Sequence, residues 1–146
     1  MTAPGAVLFA CGLNRIRSPM AASLMRRLNG PAWRIESCGL RIDPEAWPDP
    51  FVAAVMEEIG ASLGEHAPKT FEDLAEQSFD VIVSLSAEAH ERALEFARGR
   101  QVVLECWPTP DPTLASGSRE TILGAYRDVR DSLTARIRER FHGVGA

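Results

Sequence analysis

The stretch Ala6-Val7-Leu8-Phe9-Ala10-Cys11-Gly12-Leu13-Asn14-Arg15-Ile16-Arg17-Ser18-Pro19-Met20-Ala21 constrains the fold more than any other part of the chain. Val7 to Ala10 is a short, unbroken apolar run, the pattern of a strand buried on both faces of a parallel sheet. Ser18 stands where a helix cap is expected, and Pro19 at the first helical position, where a missing N–H leaves nothing unpaired. Cys11 to Ser18 therefore reads as a strand-to-helix loop whose backbone N–H groups can turn inward around an anion. A thiol lies at the base of this cradle and an arginine at its far end.

The remainder of the chain supplies a fold to hold such a loop. At 146 residues the sequence suits one domain, 1–146, large enough to bury a core without metal or disulfide support. A formal net charge of −4 argues against a general nucleic-acid or anionic-membrane binder, both of which need a basic face. Met1 to Gly5 lacks the charged region and long apolar run of a signal peptide, and no stretch reaches the length of a membrane span, so a cytoplasmic location is expected. Three widely spaced cysteines, Cys11, Cys38 and Cys106, fit reduced thiols better than a disulfide framework or a zinc site.

Met20, Ala21, Leu24, Met25 and Leu28 recur at helical spacing until Asn29-Gly30-Pro31 stops them. Trp33 to Cys38 reads as a second strand, followed by an irregular Pro- and Asp-rich segment up to Pro50. Phe51, Val52, Val55, Met56 and Ile59 mark a helix closed by Gly60, and Thr70 is placed to cap a short helix running through Leu74. Val81 to Leu85 is a third strand, Ser86 to Arg98 a helix, Val102 to Leu104 a fourth strand, and Ile122 to Phe141 a final helix with one apolar stripe. This alternation predicts an α/β fold, an open four-stranded parallel sheet with helices on both faces and a phosphate-binding loop after the first strand. Ligands of such sheets sit beyond the carboxyl ends of the strands, where Cys11 lies.

The chemistry legible in the loop is that of a nucleophile beside an oxyanion clamp. Helix N-termini and neighbouring arginines favour thiolates, the reactive form of cysteine. Arg17 offers a planar fork of donors that matches two phosphate oxygens, and Ser18 has a hydroxyl to donate to the sulfur. Asn14 tolerates the left-handed backbone that a tight anion loop often needs. Cys38 and Cys106 read as core residues, and Arg15 as surface decoration, with recruitment of anionic groups as its alternative.

The segment Val7 to Ala22 resembles the opening of low-molecular-weight protein tyrosine phosphatases, whose fold also serves the thioredoxin-coupled arsenate reductases. The likeness continues through Ser37-Cys38-Gly39, Pro48-Asp49-Pro50, Gly60 to His66 and Asp111-Pro112, and so spans nearly the whole chain, most strongly at the first loop. Such enzymes use a carboxylic acid to protonate the leaving oxygen. Three Asp-Pro pairs compete, at Asp43, Asp49 and Asp111. Asp49 sits at a helix start, where Asp usually caps; Asp111 follows the last strand, at the sheet edge of Cys11, and matches the acid the resemblance implies. The resemblance also implies a buried network around Asn14 that includes a histidine, here His66. The chain departs from the usual Cys-x-Gly-Asn order, with Gly12 one place early and Leu13 in the glycine position. Ile16 replaces a second loop cysteine, Thr113 and Leu114 replace aromatic residues after Asp-Pro, and Trp47 is the nearest candidate for a cleft tryptophan.

The expected function is a phosphomonoester hydrolase of the protein tyrosine phosphatase kind. Cys11 attacks phosphorus; the loop from Gly12, Leu13, Asn14, Arg15 and Ile16 to Arg17 binds the oxygens; Ser18 supports the thiolate; Asp111 acts as acid and then as base. No metal or cofactor is expected, and the partner is a phosphorylated protein or a small phosphomonoester. Two alternatives stand beside it: a non-catalytic phosphate-recognition module, and an arsenate reductase, whose thiol relay implies two cysteines after the third strand, where Ser84 to Arg98 has none.

Overall fold

A computed structural model describes residues 5–43, 45, 49–64 and 66–142. Strands β1 (Ala6–Cys11), β2 (Arg34–Gly39), β3 (Val81–Ser84) and β4 (Val103–Cys106) alternate with helices α1 (Arg17–Asn29), α2 (Pro50–Glu57), α3 (Ala87–Phe96) and α4 (Arg119–Ile137). All neighbouring strands are parallel, in the order β2-β1-β3-β4. The expected α/β architecture is the one observed, and Trp47 and Pro48 lie outside the described residues.

β1 is central, and every one of its residues is buried. Its side chains alternate between two cores, which explains why its sequence shows no polar alternation. Val7, Phe9 and Cys11 join α1, α2 and α4, whereas Leu8 and Ala10 join Phe71, Leu74 and α3 on the other face. On α4 the stripe against the sheet is Leu123, Tyr126, Val129, Leu133 and Ile137, with Ile122 only half-buried. Arg130 ties α4 to α2, donating through Nη1 to the Val55 carbonyl at 2.7 Å and to Glu58 at 2.8 Å. Arg127 and Arg130 together hold the Glu58 carboxyl at about 2, well below its ordinary range. No helix among the described residues is long and apolar enough to cross a membrane.

Several local expectations are corrected. α1 begins at Arg17 rather than Pro19, with Met20 N–H donating to the Ile16 carbonyl at 3.0 Å. Ser18 is thus inside the first turn and its hydroxyl is not a cap; Pro19 is accommodated because first-turn N–H groups have no intrahelical partner. Thr70 does not cap its short helix either. Its hydroxyl and N–H both donate to Asp73 Oδ2, and the helix shrinks to a 3-10 turn at Glu72–Leu74. Cys106 is half-exposed on the edge strand, not a core residue, whereas Cys38 is fully buried. Asp49 does cap α2, its Oδ1 accepting from the N–H groups of Phe51 and Val52 while Tyr126 donates to Oδ2.

Candidate active site

At the carboxyl end of β1 the chain turns through Gly12–Ile16 and re-enters as α1. One residue makes the turn possible: Asn14, the only non-glycine residue with positive φ among those described, at 56°. Its fully buried amide is satisfied on every side. Nδ2 donates to Ser18 Oγ and to Ser37 Oγ, each at 2.9 Å, and Oδ1 accepts from Lys69 N–H at 2.9 Å. The Asn14 carbonyl accepts from His66 Nε2, also at 2.9 Å. Burial, above all, holds the His66 pKa below its ordinary value, with Lys69 and Arg26 adding to it against the raising effect of the Asn14 bond. A neutral ring protonated on Nε2 meets the geometry.

Ser18 Oγ lies 2.9 Å from Cys11 Sγ. Because Asn14 already donates to Ser18, the single hydroxyl proton is left to point at the sulfur or at the Cys38 carbonyl, 3.3 Å away. The sulfur contact is the shorter. Arg17 leans across the loop, and its Nη1 donates to the Thr109 carbonyl at 3.0 Å, which fixes the plane of the guanidinium. Asp111 approaches from the segment after β4, capping a 3-10 turn at Pro112–Leu114. Cys11, Gly12, Leu13, Arg15, Ile16, Arg17 and Asp111 line one cavity of about 310 Å³, together with Arg41, Ser86 and Glu88. Asn14, Ser18 and His66 stand behind it and shape the loop. Ile16 turns its side chain into the core, and Arg15 is not surface decoration but a half-buried wall of the cavity.

The displaced glycine does not deform the loop. Gly12 is absent from the positive-φ residues, as is Leu13, so neither position needs glycine for its backbone. A Cβ at Gly12 would meet nothing closer than Arg17 Nη2 at 4.0 Å. The glycine that the loop does require is Gly39, at the end of β2. A Cβ there would fall 2.7 Å from Asn14 N, 2.8 Å from the Gly12 oxygen and 2.8 Å from the Leu13 carbonyl carbon. Leu40 N–H closes the same contact by donating to the Gly12 carbonyl at 2.8 Å. The Ser37-Cys38-Gly39 triplet carried this role in the sequence, but only as a likeness without a mechanism.

The model for low molecular weight phosphotyrosine protein phosphatase matches residues 6–145. The chain belongs to this family. It is similar to the arsenate reductase of Halalkalibacterium halodurans, 27% identical over 135 residues that cover 90% of this chain and 91% of that protein. Among solved structures it is similar to an arsenate reductase in its phosphate binding state, with TM-score 0.77, 26% identity and coverage of 96% of this chain and 98% of that one. It also shares the fold of the Erwinia amylovora tyrosine phosphatase amsI, with TM-score 0.79, 19% identity and coverage of 100% and 95%.

Within this phosphatase-family site Asp111 is held in a particular protonation bias. Burial raises its pKa, but the Thr113 hydroxyl and N–H, with Arg17 and Arg15 beyond them, outweigh that and leave it below the ordinary aspartate value. Both Thr113 bonds fall on Oδ1, at 2.6 and 2.9 Å, so Oδ2 is the oxygen left to carry a proton toward the cavity. A bound phosphate ester brings negative charge beside the carboxyl and pushes the other way, toward protonation. Thr113→Val deletes the shorter bond, and the Asp111 pKa should rise. If the acid form of Asp111 is the one required, the alkaline limb of the kcat/KM profile for an aryl phosphate moves to higher pH. An unchanged limb would separate Thr113 from the acid.

Proposed function

We propose that the chain hydrolyses phosphomonoesters through a phosphocysteine. Cys11 Sγ attacks phosphorus, forming the S–P bond as the P–O bond to the leaving group breaks, and Asp111 Oδ2 gives its proton to the departing oxygen. The Asp111 carboxylate then takes a proton from water, whose oxygen attacks phosphorus and releases inorganic phosphate and the thiolate. Arg17 and the loop N–H groups hold the equatorial oxygens through both steps. Ser18 stabilises the sulfur as attacker and as leaving group. The observation that carries this reading is the convergence of Cys11, Arg17 and Asp111 on one cavity, with the Ser18 hydroxyl 2.9 Å from the sulfur. A tyrosine-phosphorylated protein is the finer substrate expectation, supported by the family's description.

Reduction of arsenate is a second reading, favoured by the curated relative's name. The placement of the thiols disfavours it. Cys11 and Cys38 lie on neighbouring strands but face opposite cores. Cys106 pairs with Ser84, and Ser84 with Ala10, which puts Cys106 on the Cys38 face but three strands away. At ordinary strand spacing that is roughly 14 Å, twice the reach of about 7 Å between Cα atoms that a disulfide tolerates. Burial, with Cys11 next, also pushes the Cys38 thiol well above its ordinary pKa, away from the reactive thiolate.

The test is leaving-group dependence. Asp111→Asn should slow turnover of phenyl phosphate by about 10²-fold or more, and less for para-nitrophenyl phosphate, whose anion leaves without help. A radiolabelled phosphoenzyme that is trapped by rapid quench from wild type but absent from the Cys11 variant supports the covalent route. Equal losses for both esters, or thioredoxin-dependent arsenate turnover that Cys106→Ser abolishes, would overturn it.

A further inference from the structure

Three guanidinium groups line the candidate cavity, and the proposed hydrolysis uses only one of them, Arg17. Arg17 is fixed across the loop by Thr109. The guanidinium groups of Arg15 and Arg41 make no hydrogen bond or ion pair with any described residue, whereas those of Arg127 and Arg130 elsewhere are each paired with carboxylates. Arg15 is half-buried on the loop itself. Arg41 is exposed, but its backbone is fastened to the loop, its N–H donating to the Gly12 carbonyl at 3.3 Å beside the shorter bond from Leu40. Both cations are thus carried on backbone tied to the candidate loop.

The half-buried Arg15 guanidinium has no hydrogen-bonded counter-ion among the described residues; the Asp111 carboxylate acts on it only at a distance, so its donors are left for a ligand anion. The two carboxylates on the same cavity do not pair with it directly: Asp111 spends Oδ1 on Thr113, and Glu88 projects from α3 without bonding either arginine. Glu88 also disfavours an anion against its own wall, which restricts a second anionic group to the arginine-bearing segments. Among the described lining residues none is aromatic.

From this we infer that the substrate carries a second anionic group, of which a carboxylate is the simplest, on the leaving-group side of its phosphate, and that Arg15 and Arg41 bind it. The inference rests on the phosphomonoesterase reading for turnover, though not for binding. Exposed and partly exposed ion pairs of this kind shift affinity modestly, by about threefold to tenfold for two arginines together.

The test compares 4-methylphenyl phosphate with 4-(carboxymethyl)phenyl phosphate, whose phenols leave almost equally well, and benzylphosphonate with 4-carboxybenzylphosphonate as non-hydrolysable ligands. At low salt wild type should favour the carboxylated member of each pair by about threefold to tenfold, in kcat/KM and in calorimetric Kd. Added salt should shrink the ratio, and Arg15→Ala with Arg41→Ala should bring it close to one. Equal hydrolysis and equal binding of the two members, or a preference that survives in the double variant, overturns the inference while leaving the phosphatase reading intact. If the carboxylated phosphonate binds preferentially and neither ester is hydrolysed, the anion preference stands and the phosphatase reading falls.

Discussion

Cys11→Ser should abolish turnover of para-nitrophenyl phosphate, by about 10⁴-fold or more, and leave binding of inorganic phosphate largely in place. The substitution changes one atom, so the loop N–H groups and Arg17 keep their positions. What is lost is the nucleophile: a serine hydroxyl is protonated near neutral pH, and among the described residues lining the cavity there is no histidine to take its proton. The Ser18 hydroxyl, 2.9 Å from Sγ, can donate to a thiolate but cannot deprotonate an alcohol. Steady-state rates set beside phosphate titration by calorimetry separate these effects. A serine variant that keeps wild-type turnover would require another nucleophile and would end the phosphocysteine route.

Gly39→Ala should be the most damaging substitution that touches no reacting atom. The new methyl group would meet three backbone atoms of the loop at 2.7 to 2.8 Å, and backbone cannot rotate away as a side chain can. Either β2 shifts outward or the loop does. Overpacking of this kind costs about 1–3 kcal/mol of stability, and a displacement approaching 1 Å at Asn14 would lower kcat/KM by about 10²-fold. Thermal unfolding together with turnover checks both. Gly12→Ala is the internal comparison, since its Cβ would stand 4.0 Å from Arg17 Nη2, and its cost in stability should be far smaller. If Gly39→Ala melts and turns over like wild type, the close packing of β2 on the loop does not shape the site.

The contrast between these two glycines bears on how far the sequence could be read. In the sequence Gly12 is a departure from the usual loop order. In the fold it is conformationally ordinary, because the left-handed residue of the loop is Asn14. Gly39 carried no separate signal, since its need comes from a contact with residues more than twenty positions away. In the sequence Thr113 signals only a missing aromatic ring; its two bonds to Asp111 Oδ1 follow from the fold of the segment after β4. The sequence allows Ser18 two roles, as a cap and as a donor to the sulfur. The helix starts one residue before it, so the first role is absent and the hydroxyl turns to the sulfur.

By itself the sequence determined the strand, the loop and the helix that present Cys11 and Arg17, because those depend on local pattern: an apolar run, a tight turn, and helix-compatible residues after it. It also determined the alternation that makes a parallel sheet. Only the tertiary structure decided which residues converge on the loop from a distance. Asp111 and Thr109 arrive from the segment after β4, Gly39 and Arg41 from the end of β2, and His66 from beyond α2. The reason is topological. With the order β2-β1-β3-β4 and every strand parallel, segments far apart in the chain all leave the sheet at the same edge. The cradle that opens this sequence is local, while Asp111, the positioning contacts and the Arg41 side chain are brought to it by the sheet.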